Sequence, residues 1–276
     1  MVVGDGSVLY ALNAITDTRG PIIIGIHGLG GHADELRCFR DYAELHGLSL
    51  LAFDLRGFGH WQKNRGDVEN LSMWLADIAD VMSAVRQSHP MRPVFLMGES
   101  LGANLAFWYC YEHRDTPALL PDGLIGLNLV TKPMRRVRLR NIVEGTIGYL
   151  FYPQWRIDVS MAPDKVSDDP EVLRTIEADS LRANRVSFRL LLQAKHIIEH
   201  TSEYLAQIST PLLVLQGAQD DLSQAEDVRD MVAEKGNRTV HILDACKHSM
   251  LRDRCRCRVC AIIQDWCEGQ GEGEGN

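Results

Sequence analysis

Pro93-Val94-Phe95-Leu96-Met97-Gly98-Glu99-Ser100-Leu101-Gly102 runs from an apolar stretch into a G-x-S-x-G turn, after which Leu101–Tyr111 continues as the apolar LGANLAFWYCY. An apolar run without polar alternation is what a strand covered on both faces requires. The stretch after the turn has the length and composition of a buried helix. A serine flanked by glycines at such a junction sits on a sharp turn, where neighbours lacking a Cβ let strand and helix approach closely. Ser100 is therefore the candidate nucleophile, its hydroxyl projecting above the carboxyl ends of the strands. The Leu101 N–H, at the start of the helix, is a candidate oxyanion donor. The pentapeptide by itself is a weak signal, and its strand–turn–helix setting gives it weight.

The same alternation extends outward in both directions. Strands are expected at Ser7–Ile15, Pro21–Ile26, Ser49–Phe53, Pro93–Met97, Gly123–Val130, Pro211–Gln216 and Thr239–Leu243. Helices are expected at Asp34–His46, Leu71–Ser88, Ser100–His113, Ala225–Lys235 and Met250–Cys267. Alternating β and α elements predict an α/β fold with a mostly parallel, doubly wound sheet and right-handed crossovers. About 80 residues separate Val130 from Pro211, far more than a loop and one helix need. That stretch holds the basic TKPMRRVRLRN and then the apolar, aromatic IVEGTIGYLFYPQW, and it reads as a helical cap. The expected organisation is a first core segment at 1–130, a cap at 131–206, a second core segment at 207–268 and a disordered tail at 269–276.

A serine hydroxyl is a weak nucleophile and needs a base, a group that orients the base and an oxyanion hole. His27-Gly28-Leu29-Gly30-Gly31 follows the Pro21–Ile26 strand, and its glycines free backbone N–H groups. Leu29 N–H is the candidate second donor. The spacing matches neither a dinucleotide-binding G-x-G-x-x-G nor a Walker A loop. Beyond the strand PLLVLQ lies Gly217-Ala218-Gln219-Asp220-Asp221, and either aspartate could orient a base or cap the following helix. His248, in Ala245-Cys246-Lys247-His248-Ser249-Met250, follows the last strand and is the candidate base. The order Ser100, Asp220/Asp221, His248 differs from the orders of chymotrypsin and subtilisin.

Over roughly residues 5–267 the chain resembles the α/β-hydrolase superfamily, in particular its monoglyceride lipase/lysophospholipase-like (serine aminopeptidase-like) branch. The likeness rests on HGLGGHADE, on DLRGFGHWQKNRG at Asp54–Gly66, on PVFLMGESLG, on the G-x-x-D of Gly217–Asp220 and on CKHSM. It implies that Asp220 rather than Asp221 is the acid. It also implies the α/β-hydrolase fold with a cap between the sixth and seventh strands, and serine chemistry on carboxylic esters without cofactor or metal. Phe58 stands where histidine is common, Trp61 where a small polar residue is usual, and Glu99 where histidine is commoner; none of these removes a catalytic group. The N-terminus is short for an outermost first strand.

Composition sets the outer bounds. With Lys+Arg 29 against Asp+Glu 37, the net charge of −8 disfavours nucleic-acid binding. No apolar run approaches a membrane span and the start lacks a secretory signal, so a cytoplasmic protein is expected. Cys255, Cys257, Cys260 and Cys267 do not match zinc-site spacing and read as core or surface thiols. His196-Ile197-Ile198-Glu199-His200 matches H-x-x-E-H, yet no third-ligand motif accompanies it, so an ordinary amphipathic helix is expected. In the cap, Tyr149, Phe151, Tyr152 and Trp155, with Ile147 and Leu150, are candidates for acyl-chain or lipid contact. Lys132, Arg135, Arg136, Arg138 and Arg140 precede them and suit transient contact with an anionic membrane surface. The expected substrate is a monoacylglycerol-like or medium-chain acyl ester. A thioesterase or peptidase of the same fold is the alternative within the class, and a non-catalytic ligand-binding hydrolase fold is the alternative outside it.

Overall fold

The computed structural model describes residues 1–132, 154–232 and 236–271. Seven strands form one sheet: β1 (Ala11–Ala14), β2 (Ile22–Ile26), β3 (Ser49–Phe53), β4 (Val94–Glu99), β5 (Gly123–Leu127), β8 (Leu212–Gly217) and β9 (Arg238–Leu243). Their spatial order is β1-β3-β2-β4-β5-β8-β9, and only the β1–β3 pairing is antiparallel. From β2 the chain moves to β3 on one side and then returns to β4 on the other, so the strand order reverses between β2 and β4. The carboxyl ends of strands at such a reversal form the crevice where open α/β sheets place their ligands. The His27–Gly31 turn leaves β2 there, and Ser100 leaves β4.

Both faces of the sheet are covered, which explains the unbroken apolar strands. On one face α2 (Ser72–Ser88), α3 (Leu101–Glu112) and α5 (Phe188–Gln207) bury Trp74, Phe107 and Leu190 against Ile24 and Leu96. On the other, α1 (Arg37–Leu45) and α7 (Arg256–Gly271) bury Phe39, Val259 and Ile263 against Ile23 and Met97. α6 (Ala225–Val232) lies between β8 and β9 in the chain.

Several boundaries move, each for a local reason. The expected strand at Gly123–Val130 stops at Leu127 because Asn128 turns into the left-handed region, at φ 47°. The expected helix from Met250 begins only at Arg256. Asp253, buried before it, accepts the N–H groups of Lys247 and Arg254 and so holds residues 247–254 as a turn. Of the tail expected at 269–276, residues 269–271 belong to α7, and 272–276 lie outside the described residues. The insertion between β5 and β8 is not wholly helical. Besides α4 (Pro170–Ala178) it contains an antiparallel pair, β6 (Arg156–Asp158) and β7 (Arg185–Ser187). α5 packs on α3, where Asn104 Nδ2 donates to Thr201 Oγ1 at 2.8 Å, so residues 188–207 join the core layer. Among the described residues no helix is long and apolar enough to cross a membrane.

Candidate active site

Ser100 occupies a backbone conformation that an L-residue enters only under constraint, φ 58° and ψ −127°. The constraint comes from close contact on both sides. A Cβ on Gly98 would lie 2.2 Å from the Gly102 carbonyl oxygen, and one on Gly102 would lie 2.5 Å from that of Ile26. The two glycines thus let α3 start directly against β4 and β2, and the Ser100 N–H is anchored on Leu127 O at 2.8 Å.

Ser100 Oγ lies 2.9 Å from His248 Nε2, and His248 Nδ1 lies 2.9 Å from Asp220 Oδ2. Asp220 is buried and also accepts from Gln216 Nε2 at 3.1 Å and from the Leu222 N–H at 2.8 Å. An ionised carboxylate only accepts, so Nδ1 carries the imidazole proton and Nε2 is left to receive the Ser100 proton. Burial alone would lower the His248 pKa. The charge and hydrogen bond of Asp220, with Glu99 behind them, outweigh burial and hold it above its ordinary value. Asp221 stays at the surface and pairs with Lys165 at 2.7 Å.

The glycine-rich turn closes the other side. A Cβ on Gly28 would sit 3.1 Å from Ser100 Cβ, and Leu29 lines the same cavity, of about 50 Å³, as Ser100 and His248. His27 fixes the turn. Its Nε2 accepts the Leu55 N–H at 3.0 Å, which leaves Nδ1 to donate to Gly28 O at 2.8 Å. The DLRGFG segment buttresses this arrangement, with Phe58 fully buried edge-on to the His27 ring. Asp54 accepts the N–H groups of Ala33 and His60. The Leu101 N–H opens α3 and has no carbonyl one turn behind it, as at any helix start.

Three features of the site escape the sequence reading. Asn128, fully buried at the end of β5, donates through Nδ2 to Lys247 O at 2.8 Å and His248 O at 2.5 Å, while its Oδ1 accepts the Gly217 N–H at 2.8 Å. One side chain therefore ties the histidine loop to the strand end that carries Asp220. Asn128→Ala is expected to lower stability by about 3 kcal/mol, from three buried groups left unpaired and a left-handed backbone without its amide. Urea denaturation measures it, and Asn128→Asp should lose at least as much, because its second carboxylate oxygen would face the two carbonyls to which Nδ2 now donates. The second feature is a charged wall: Glu35, Glu99, Arg182 and Arg252 line the Ser100 cavity. The third is the insertion's own contribution, since Met161 and Val166 line the same cavity as Ser100 and the Ser249 N–H bonds Val166 O at 3.1 Å.

Of the expected substrate contacts, Trp155 is 52% exposed and does not line this cavity. Tyr149, Phe151 and Tyr152 lie outside the described residues, as do Ile147, Leu150 and the four cap arginines. Lys132 pairs with Asp227 at 2.5 Å. In the H-x-x-E-H helix, Glu199 is taken by Lys195 at 2.6 Å and the two histidine rings pack against each other, tilted by 42°. Among the described residues the one set close enough to share a cation is His32, Glu35 and Asp179. There Glu35 already pairs with two arginines and His32 Nε2 with Asp179, so we assign the set no metal. The expectation of unbridged thiols is corrected at Cys255, which is joined to Cys246 as a disulfide. Cys246 follows β9 and the 247–254 turn brings Cys255 back beside it, a local pairing over nine residues that depends on that turn replacing the expected helix start. Cys257, Cys260 and Cys267 remain free thiols.

Residues 17–255 match the family model described as serine aminopeptidase, S33. An uncharacterised abhydrolase domain-containing protein of Dictyostelium discoideum is 26% identical over 255 residues, covering 91% of this chain. The chain spans only 26% of that relative's length. A monoacylglycerol lipase of Mycolicibacterium smegmatis is 24% identical over 82% of this chain and 79% of its own. The crystal structure of Paleococcus ferrophilus monoacylglycerol lipase superposes with a TM-score of 0.83 at 19% identity, over 96% of this chain and all of that one.

Proposed function

The chain belongs to the serine aminopeptidase S33 family and has the α/β-hydrolase fold, and from that premise we propose that it cleaves carboxylic esters through an acyl-enzyme on Ser100. The observation that carries this reading is the chain of two 2.9 Å hydrogen bonds from Ser100 Oγ through His248 to Asp220. His248 takes the hydroxyl proton as Oγ attacks the ester carbonyl, and Asp220 steadies the imidazolium that forms. The N–H groups of Leu29 and Leu101 receive the oxyanion, each contributing about 3 kcal/mol to the transition state. His248 then protonates the departing alcohol, and water resolves the acyl-enzyme by the same steps in reverse. No step in this sequence calls on a cofactor.

The substrate we propose is an ester of a medium-length acyl chain with a small polar alcohol, monoacylglycerol-like in build. It is supported by the family relatives that are monoacylglycerol lipases and by the polar lining on the His248 side of the cavity. Incubation with a fluorophosphonate, followed by peptide mass mapping, should place one adduct on Ser100 and abolish turnover of a p-nitrophenyl ester series from acetate to laurate. An adduct elsewhere, or turnover that survives complete labelling of Ser100, would refute the reading.

A further inference from the structure

We propose that the Cys246–Cys255 disulfide is a thiol-exchange site, at which a low-molecular-weight thiol lowers the activity of Ser100 by opening the loop that carries His248; this rests on the ester-hydrolase reading and adds a regulation of the same site. The bond joins residues nine apart, and His248 is the second residue inside the loop it closes. Its Cys246 end is set against the strand that leads to Asp220. The Cys246 carbonyl accepts the Gln219 N–H at 3.1 Å, and a Cβ on Gly217 would meet that carbonyl oxygen at 2.4 Å. Its Cys255 end stands directly before α7, the helix packed on the sheet. The disulfide therefore fixes both ends of the base-bearing loop to the core.

The two cysteines differ in reach. Cys246 is buried and packs with Met250, Leu251 and Val259, whereas Cys255 is half-buried at the edge of that cluster. A thiolate arriving from solvent meets Cys255 Sγ first. It bonds that sulfur, the S–S bond breaks, and the electron pair leaves on Cys246 Sγ, which takes a proton. A second thiolate attacks the reductant's sulfur in the mixed disulfide and releases Cys255, also protonated. Two small thiols are thereby oxidised to their disulfide and the protein gains two thiols. The fold survives because the bond is local and the loop keeps other anchors. Asp253 still accepts from Ser167 Oγ at 2.8 Å and from the Lys247 N–H at 3.1 Å, and Asn128 still holds Lys247 O and His248 O. Those bonds do not restrain the sulfurs, which must part once they are thiols. Cys246 is enclosed by the core, so the residues between 246 and 255 take up the movement and regain the freedom that ring closure denied them. His248 then no longer keeps Nε2 at 2.9 Å from Ser100 Oγ throughout. A misplacement of about 1 Å at a reacting group can cost up to about 100-fold in rate.

The test equilibrates the whole, folded chain in mixtures of reduced and oxidised glutathione, from fully oxidising to fully reducing. Iodoacetamide trapping with peptide mass mapping reads the state of Cys246 and Cys255, and p-nitrophenyl butyrate reads kcat and KM. As the two thiols appear, kcat should fall by about tenfold or more with KM nearly unchanged, and oxidised glutathione should restore it. Cys255→Ser should sit at the reduced level and ignore the mixture. Cys257→Ser, which removes an exposed free thiol two residues away, should respond as the wild type does. The wild-type titration needs no variant, so a poorly folding mutant does not remove the test. A disulfide that glutathione leaves intact in the folded chain overturns the inference, as does full activity after complete reduction, or a response that persists in Cys255→Ser. Each of these leaves the ester reading standing. Absence of ester turnover even in the oxidised protein overturns the ester reading instead. The rate at which a fluorophosphonate labels Ser100, which needs His248 in place but no substrate, then decides this inference: about tenfold slower labelling after reduction supports it, and an equal rate overturns it.

Discussion

Ser100→Ala is expected to lower kcat for ester hydrolysis by about 10⁵–10⁶-fold, close to the loss seen when a serine hydrolase loses its nucleophile. The substitution removes one oxygen and keeps the Cβ, so the left-handed backbone of residue 100 remains as constrained as before. Folding should therefore be preserved, and residual turnover should reflect only what the Leu29 and Leu101 N–H groups do for a water attack. Ser100→Gly separates the two roles of the position. It is equally inactive, but without a Cβ the φ of 58° is relaxed. Its unfolding free energy should exceed that of Ser100→Ala by about 1 kcal/mol. Stopped assays with p-nitrophenyl butyrate and urea denaturation of both variants provide the numbers. Turnover in Ser100→Ala within tenfold of wild type would place the nucleophile elsewhere.

The parts of the site that are legible in the sequence are those decided by local sterics. Gly98 and Gly102 are required because backbone carbonyls stand where a Cβ would be, and that requirement is written within five residues of Ser100. The strands are legible because burial on both faces leaves unbroken apolar runs such as Ile22–Ile26, all of it inaccessible to solvent. The features that stay hidden depend on approach across the fold. Asn128 meets Lys247 and His248 over separations of 119 and 120 residues, and nothing in the tripeptide Leu127-Asn128-Leu129 announces it. An amide placed directly after an apolar strand was the only available hint. Glu35 and Arg182 lie 147 residues apart, and although Glu35 ends the HGLGGHADE stretch nothing there announces the arginine it meets. Arg252 falls inside the helix expected at Met250–Cys267. The turn held by Asp253 instead carries it to the cavity wall. Charged residues are legible as solvated faces by default, so a buried charged wall is the feature that periodicity hides best.

Asp220→Asn is expected to lower kcat by about four orders of magnitude with little change in fold. The amide can donate to His248 Nδ1, which moves the imidazole proton to Nε2, and a protonated Nε2 cannot accept from Ser100 Oγ. The pH dependence carries the same argument with a definite sign. His248 acts as base only when neutral, so wild-type kcat/KM should fall as pH drops through a histidine pKa that lies above its ordinary value. Burial opposes that rise, and the Asp220 charge and hydrogen bond drive it. Removing the charge leaves burial as the larger influence, so the acid limb of Asp220→Asn should move to lower pH even as the plateau drops. Loss of fold alone would lower the plateau without moving the limb. Asp221→Asn supplies the contrast, because that carboxylate is at the surface in a salt bridge with Lys165 and should leave both plateau and limb within about twofold of wild type. Were Asp221→Asn to show the four-decade loss and Asp220→Asn to spare activity, the acid would be the neighbour, and the Gln216 and Leu222 hydrogen bonds to Asp220 would be those of a buried cap and nothing more.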